Sequence, residues 1–393
     1  MKINILLFWF VGYDWGEGRT YQKVAEHLAE MPEVARVIVI FPPKKIQEEI
    51  YAKPLTIKKI SKNLTTIKGN EPVLPLLKSP YRLRVWINKI IKNSTLKSYL
   101  RFLGFKKNNT ILWLFPPHPY LETIAQQIPH TLFVAHIVDN FEKSDDEWLR
   151  KYAITQYPTV YQDADIIITG SKLNQTIFSA CRSHCYLFEN AVDEMFIGEP
   201  ARLPYLTRGT RPKLGYVGTL SKRTDINLIE YVARKKPEWS ISIVGHRELS
   251  DRELKCLFEL PNVEYLGHIP YEEVPQFLKT VDVCLIPHKN TEYCQSMSPL
   301  KLFQYMASGR PTVATNVAEL DTFKDYVAVA EIHEEFLRCI EHILRTDTIQ
   351  NSKARIDIAK GQTWGRRIQE MFDIVKGRFN EKRGNREDLT LKV

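Results

Sequence analysis

Apolar residues cluster along the chain in short unbroken runs, and the segments between the runs repeat at helical spacing. Residues 3–11, Val34 to Phe41, Thr110 to Phe115, Thr131 to Val138, Asp165 to Gly170 and Tyr186 to Phe188 each read as a buried strand. Between them, Arg19 to Met31, Ser144 to Ala164 and Lys172 to Cys181 read as helices, the second despite Pro158. Strand, glycine loop, helix and strand open a doubly wound α/β domain. The glycines of that loop stand at Gly12, Gly16 and Gly18. This spacing is not G-x-G-x-x-G, so no dinucleotide site is indicated, and a merely tight turn needs the same residues.

A stretch with linker chemistry follows, from Gly198 to Arg211 with Pro200, Pro204 and Gly209. A second series then begins. Lys213–Val217, Ser240–Val244, Val263–Leu266, Asp282–Ile286 and Val327–Ala330 read as strands. Asp225–Lys235, Tyr271–Lys279, His333–Arg345 and Thr363–Phe379 read as helices. Ala164-Asp-Ile-Ile-Ile-Thr and Val281-Asp-Val-Cys-Leu-Ile echo each other, each opening a buried strand after a helix. The echo predicts two domains of similar construction.

The second series is organised around Ser296 to Thr315, SMSPLKLFQYMASGRPTVAT. Ser298 suits an N-cap and Pro299 the first helical position. Leu302 and Met306, four apart, share a face. Ser308-Gly309 ends the helix, Arg310-Pro311 prevents its restart, and Thr312–Thr315 reads as a strand. The free N–H groups of the first turn, with Lys301 beside them, favour an anion, most often a phosphate. A well-capped structural helix would read the same.

Composition narrows the picture. The chain has 393 residues, so two domains are expected, and its 44% hydrophobic content is that of a folded soluble protein. The net charge of +9 suggests an anionic partner: nucleic acid, an anionic membrane or a phosphorylated substrate. The apolar amino terminus has only Lys2 before it and no small-x-small site after it, so it reads as a first strand rather than a signal peptide. The six cysteines form no C-x-x-C pair. Cys181, His184 and Cys185 make a weak zinc-like cluster, which reads better as separate thiols of a reduced, cytosolic protein.

PLKLFQYMASGRPTVAT resembles the nucleotide-sugar motif of GT-B glycosyltransferases of the family-4 type, the "glycosyl transferases group 1". Members commonly read P-L-K-[LI]-[YF]-E-Y-[ML]-A-[AS]-G-[KR]-P-V-V there. This chain has Gln304 where the family usually has a ribose-holding Glu, and Ser296 where a second Glu often stands. Gln keeps an acceptor oxygen and loses the charge. The resemblance implies two facing doubly wound domains with a cleft between them. The first would cover 1–205 and bind the acceptor; the second would cover 206–362 and bind the nucleotide sugar. Asn190-Ala-Val-Asp193 resembles the family turn that closes the first domain. The terminal helix, about 363–379, would pack back on the first domain, and 380–393 would be a flexible tail.

The implied activity is transfer of a hexose from a nucleotide diphosphate sugar to an acceptor hydroxyl, with retention and without a required metal or cofactor. The acceptor would be a lipid-linked or growing surface glycan. The donor site would draw on Gly16, Gly218, Thr219, Lys222, Arg223, His246, Ile269, Ser298, Pro299, Leu300, Lys301 and Gln304, with Tyr271 as a further base contact. Gly218 lets the backbone turn closely, while Thr219 stands where the family usually has Arg. Lys222, Arg223 and Lys301 would stabilise charge on the leaving diphosphate. His136 and Asp139, late in a first-domain strand and just after it, would line the cleft as catalytic residues; His118 is a third candidate. Asp163-Ala164-Asp165 matches a D-x-D metal motif, but a helix end and a strand start need not converge, so no metal site is expected. Two rival readings are a non-catalytic subunit on this fold and a sugar-nucleotide epimerase on a similar scaffold.

One segment concentrates the charge. From Lys44 to Lys107 the acids are Glu48, Glu49 and Glu71, against sixteen Lys and Arg. Leu83, Trp86, Ile87, Ile90 and Ile91 recur at helical spacing among Arg82, Arg84, Lys89 and Lys92. A basic amphipathic helix of this kind suits an anionic bilayer. The expectation is peripheral docking through 81–107 at the inner face of the membrane, with no nucleic acid partner because no binding motif accompanies the patch.

Overall fold

The computed structural model describes residues 2–9, 15–16, 18–41, 56–68, 98–118, 121, 126, 128–180, 184–200, 211–317 and 320–390. The chain divides into two compact units. The first comprises Met1–Thr169, Gln175–Leu187 and Ile368–Val393; the second comprises Gly170–Asn174 and Phe188–Arg367.

The apolar runs become strands. In the first unit these are β1 (Ile3–Phe8), β2 (Val34–Phe41), β3 (Thr56–Lys59), β4 (Leu64–Lys68), β5 (Thr110–Leu114), β6 (Leu132–Ile137), β7 (Ile166–Thr169) and β8 (Cys185–Leu187). Their order is β3-β4-β2-β1-β5-β6-β7-β8, parallel except where β3 runs antiparallel to β4 at one edge. β1, β5 and β6 are buried along their whole length, as unbroken apolar runs require. α1 (Thr20–Glu30), α2 (Glu147–Asp163) and α3 (Lys172–Ser179) are the helices between them.

The second unit carries β9 (Lys213–Val217), β10 (Ser240–Val244), β11 (Val263–Gly267), β12 (Val283–Ile286), β13 (Thr312–Thr315) and β14 (Val327–Ala330). The sheet is parallel with order β11-β10-β9-β12-β13-β14. Its helices are α4 (Ile226–Lys235), α5 (Asp251–Phe258), α6 (Val274–Leu278), α7 (Glu292–Gln295), α8 (Leu300–Ala307), α9 (His333–Thr346) and α10 (Ile349–Lys360). A last helix, α11, spans Trp364–Thr390. Two apolar clusters cover this sheet, one around Tyr216, Ile229, Ile241 and Ile340, the other around Cys284, Phe303, Tyr305 and Phe323. The order reverses between β9 and β12, so the crevice that binds ligands in such sheets opens at their carboxyl ends.

The sequence echo has a structural counterpart. Asp165 and Asp282 each begin a strand and clamp its neighbour. The Asp165 amide donates to Phe133 O at 2.8 Å, and its Oδ2 accepts from the Phe133 amide at 2.9 Å. The Asp282 amide donates to Lys213 O at 2.7 Å, and its Oδ2 accepts from the Lys213 amide at 2.8 Å. One reciprocal clamp thus fixes register at the amino-terminal end of both sheets.

Some elements lie elsewhere than expected. The long segment of the second unit starts at Phe188, ahead of the linker-like stretch, because Asn190 and Val192 bond into it. The Val192 amide donates to Gln362 O at 2.9 Å, and Asn190 Nδ2 donates to Ser298 O at 2.6 Å. Residues 201–210 of the expected linker lie outside the described residues. α11 continues to Thr390 instead of giving way to a tail at 380, with Phe379 buried, Lys382 bonded to Asp165, and Lys376 paired with Glu33 at 2.8 Å. Strands β3 and β4 form a hairpin inside the basic segment, held by buried Leu64 and Ile67. Residues 81–97 of the expected membrane helix, and Cys181, lie outside the described residues. Among the described residues no helix is long and apolar enough to cross a membrane.

α8 ends as its sequence predicts. Gly309 adopts φ +74° after Ser308, and a Cβ there would lie 2.5 Å from Ser352 Oγ. Arg355 on α10 donates to Gly309 O at 2.9 Å and pairs with Asp347 at 2.7 Å, both ion-pair side chains being 5% exposed.

Candidate functional site

The carboxyl ends of β9, β10 and β11 turn on glycines: Gly218 at φ +150°, Gly245 at +138° and Gly267 at +74°. The three turns are laced together. The Gly218 amide donates to Val244 O and the Gly245 amide to Gly267 O, each at 2.8 Å. A Cβ at Gly245 would lie 2.1 Å from Gly218 O, so only glycine permits the crossing. A Cβ at Gly218 would lie 2.9 Å from Lys301 Nζ and 3.1 Å from Tyr216 Oη. The space left by that missing side chain is where the lysine tip sits.

Lys301 is in the first turn of α8. Its Nζ donates to Tyr216 Oη at 3.3 Å, stands 3.2 Å from His288 Nε2, and lies 4.5 Å from the centre of the Tyr216 ring. Tyr216 Oη donates in turn to Thr219 O at 3.0 Å. The start of α8 differs from expectation. Pro299, not Ser298, is the N-cap residue, and no side chain caps the helix. The Ser298 hydroxyl instead accepts from the Asn190 amide at 3.1 Å. The first-turn amides therefore have no side-chain cap, which leaves the positive end of the helix available to an anion. Tyr305, one turn on, accepts from the Val217 amide at 2.9 Å and so fastens α8 to the end of β9.

The remaining candidates of this unit take different places. Arg223 is half-buried, lies 5.7 Å from the Tyr293 ring centre and donates to Met297 Sδ at 3.6 Å. Lys222 beside it is exposed. His246 and His268, both exposed, stack with ring centres 3.9 Å apart. Ile269 packs against the second apolar cluster. The Tyr271 hydroxyl donates to Asp193 Oδ2 at 2.7 Å, which ties it to the 190–193 turn. Gln304 and Leu300 stand on α8, and Gln304 is buried. Ser296 is buried with its hydroxyl donating to Tyr293 O at 2.7 Å, while its carbonyl accepts from Ser171 Oγ and Asn174 Nδ2.

In the first unit the order reverses between β1 and β5, and the histidines lie near the carboxyl ends beside that point. His136 on β6 is 2% exposed, with its ring centre 4.8 Å from Phe115 and 6.1 Å from Trp113. Burial pushes its pKa down to about 3, and its Nδ1 has no hydrogen-bond partner among the described residues. His118 is pushed to about 3 for the same reason. Both are neutral at ordinary pH, so His136 is a weak base and offers ring nitrogens rather than charge. Asp139, half-buried, accepts from Tyr157 Oη through its backbone carbonyl at 3.4 Å. Gly16, at φ +111°, donates its amide to Gln22 Oε1 at 2.8 Å. Asp163 is exposed at the end of α2 while Asp165 is committed to the strand clamp, so the D-x-D pair does not converge. No cluster of three metal-ligating side chains occurs among the described residues.

Sequence reasoning named Lys301, Gly218 and the start of α8 as candidates; it did not name Tyr216, Tyr305 and His288, which the structure places beside them. The last stands two residues beyond β12, at the carboxyl-end crevice, and its position relative to that strand was the available signal. The resulting arrangement has the chemistry of an anion site: backbone turns that admit close approach, a fixed ammonium and an open helix start.

Residues 211–346 match the family model described as "Glycosyl transferases group 1". Over 246 residues, 58% of the chain, the sequence is 31% identical to TuaH of Bacillus subtilis (strain 168), assigned by name to teichuronic acid biosynthesis as a glycosyltransferase. The match covers 62% of that protein, so the chain spans less than two thirds of this relative's length. The fold is similar to sucrose-phosphate synthase from Thermosynechococcus elongatus, with a TM-score of 0.71, 16% identity, and coverage of 97% of this chain and 100% of the other. It is also similar to HepE of Anabaena in complex with UDP and glucose, with a TM-score of 0.64, 14% identity, and coverage of 95% and 99%. The Escherichia coli trehalose-6-phosphate protein bound with UDP-2-fluoro glucose gives a TM-score of 0.66 at 11% identity, covering 95% and 99%. Residues 211–346 therefore resemble the glycosyl transferases group 1 family, and the chain has the fold of the GT-B glycosyltransferases.

Proposed function

We propose that the chain moves a sugar from a nucleotide diphosphate sugar to an acceptor hydroxyl in the synthesis of a surface polysaccharide or glycolipid. The observation that carries this reading is the placement of Lys301 Nζ against the Gly218 turn at the switch point of the second sheet. The diphosphate would meet that ammonium and the uncapped start of α8, with Arg223 and Lys222 adding charge nearby. As the bond from the anomeric carbon to the diphosphate breaks, negative charge grows on the leaving oxygen, where fixed cations stabilise it most. The acceptor oxygen forms the new bond on the face that the diphosphate leaves, which retains configuration, and its proton passes to the leaving phosphate, so no dedicated protein base or metal is needed. His136 and Asp139 are proposed to act on turnover, His136 as a neutral ring. The complexes of HepE with UDP and glucose and of the E. coli protein with UDP-2-fluoro glucose support a uridine donor. The name of TuaH supports a cell-wall glycan acceptor. The basic segment 81–107 would hold the protein at the cytoplasmic face of an anionic membrane.

A second reading, a non-catalytic subunit, rests on Ser296 and Gln304. Neither is an acid, and the Ser296 hydroxyl is committed to Tyr293 O. Release of free nucleotide from a panel of labelled donors, with and without lipid-linked acceptor, decides between the readings. Acceptor-dependent release supports the transferase; donor binding by thermal shift without release supports the subunit and overturns the transferase.

A further inference from the structure

His288 is a buried histidine to which the proposed reaction gives no part. Its backbone is held rigidly. The Asp225 amide donates to Pro287 O at 2.7 Å, the Lys289 amide to Arg223 O at 2.8 Å, and Thr315 Oγ1 to His288 O at 2.6 Å. Its Nε2 lies 3.2 Å from Lys301 Nζ. An ammonium has no acceptor lone pair, so at this distance the hydrogen bond must run from lysine to an unprotonated Nε2. The remaining ring hydrogen is then on the buried Nδ1, on a ring that also meets the Arg223 backbone. A phenyl ring in the same space would offer Lys301 no acceptor. Burial, with Lys301 and Arg223 nearby, keeps the His288 pKa well below the ordinary histidine range, which preserves the acceptor.

Lysine needs such help. Its four-carbon stem is flexible, and a mobile ammonium is a poor partner for a developing charge. Tyr216 supports Lys301 from one side, through its ring face and hydroxyl. We infer that His288 is a positioning residue, whose Nε2 accepts from the Lys301 ammonium and holds it against the Gly218 turn for the donor diphosphate. This inference rests on the proposed role of Lys301.

The test uses UDP as the probe, with affinities from calorimetry on the full chain and melting temperatures as the check on folding. His288→Phe is expected to weaken UDP about tenfold, the scale of one charge-assisted hydrogen bond. His288→Gln, which restores an acceptor oxygen, is expected to return affinity to within about threefold of the wild type, a small fraction of such a bond. In a Lys301→Ala background, His288→Phe should change nothing further. If Lys301→Ala itself leaves UDP binding unchanged, the reading of the site fails. If Lys301→Ala weakens binding and His288→Phe does not, only the positioning role fails. Equal weakening by His288→Phe with and without Lys301 also overturns it, since the effect is then structural. Should His288→Phe not fold, imidazole 15N resonances decide: the role requires a neutral ring with Nδ1 protonated and an Nε2 signal that moves in Lys301→Ala. A signal that stays in place overturns the inference.

Discussion

Lowering the pH should destabilise the first unit through its buried histidines. His136 is neutral in the folded chain down to about pH 3, whereas an exposed histidine protonates near 6.5. Its folded pKa is depressed, so its stabilisation is complete above about 6.5 and is lost as pH falls toward 3. Linkage between these two values makes the loss at pH 5, relative to pH 8, about 2 kcal/mol. His118, with the same depressed value, doubles this to about 4 kcal/mol. A domain is stable by only about 5–15 kcal/mol, so the effect is measurable. The assay is urea unfolding followed by tryptophan fluorescence at pH 8, 6.5 and 5, with Trp113 close to His136 as a local reporter. His136→Phe removes one of the two titrations and should halve the fall. A wild type equally stable at pH 8 and 5, or a variant with an unaltered slope, would refute the reasoning. The same depression predicts that the pH profile of transfer shows no titration of His136 near neutrality.

Lys301→Ala should weaken UDP by about tenfold or more in calorimetry at unchanged melting temperature, as expected for a charge-assisted contact of roughly 1.5–3 kcal/mol. Gly245→Ala should cost about 1–3 kcal/mol from backbone strain alone. It should also weaken UDP binding, because its Cβ would displace the Gly218 carbonyl; an unchanged melting curve contradicts this. Arg355→Met leaves Asp347 buried and unpaired and should cost about 3–5 kcal/mol in chemical denaturation. Sedimentation with vesicles should require anionic lipid, fall with added salt and be lost when Arg82, Arg84, Lys89 and Lys92 become Glu; binding indifferent to all three rules out docking through 81–107.

Hydrophobic patterning by itself determined the strand series apart from β3 and β4, the two-unit construction and the α8–β13 stretch with its glycine stop. A buried parallel strand must be apolar on both faces, and a helix must end where Gly309 reverses the backbone, so both leave local marks. The aspartate echo was legible as a repeat at two strand starts, although the residues each copy clamps lie 32 and 69 positions away. What the sequence could not decide were choices between partners distant along the chain. Ser298 had the residue type and spacing of an N-cap, yet the Asn190 amide, 108 residues away in sequence, took its hydroxyl. The helix beyond 380 looked like polar tail because its support comes from Asp165, 217 positions earlier. That burial keeps His136 and His288 neutral was not legible either, because it depends on what packs around each ring. Lys301 could be named as a cation from its motif, but only the tertiary structure brought it against the Gly218 turn and His288, because a side chain's position and charge depend on neighbours that sheet order assembles.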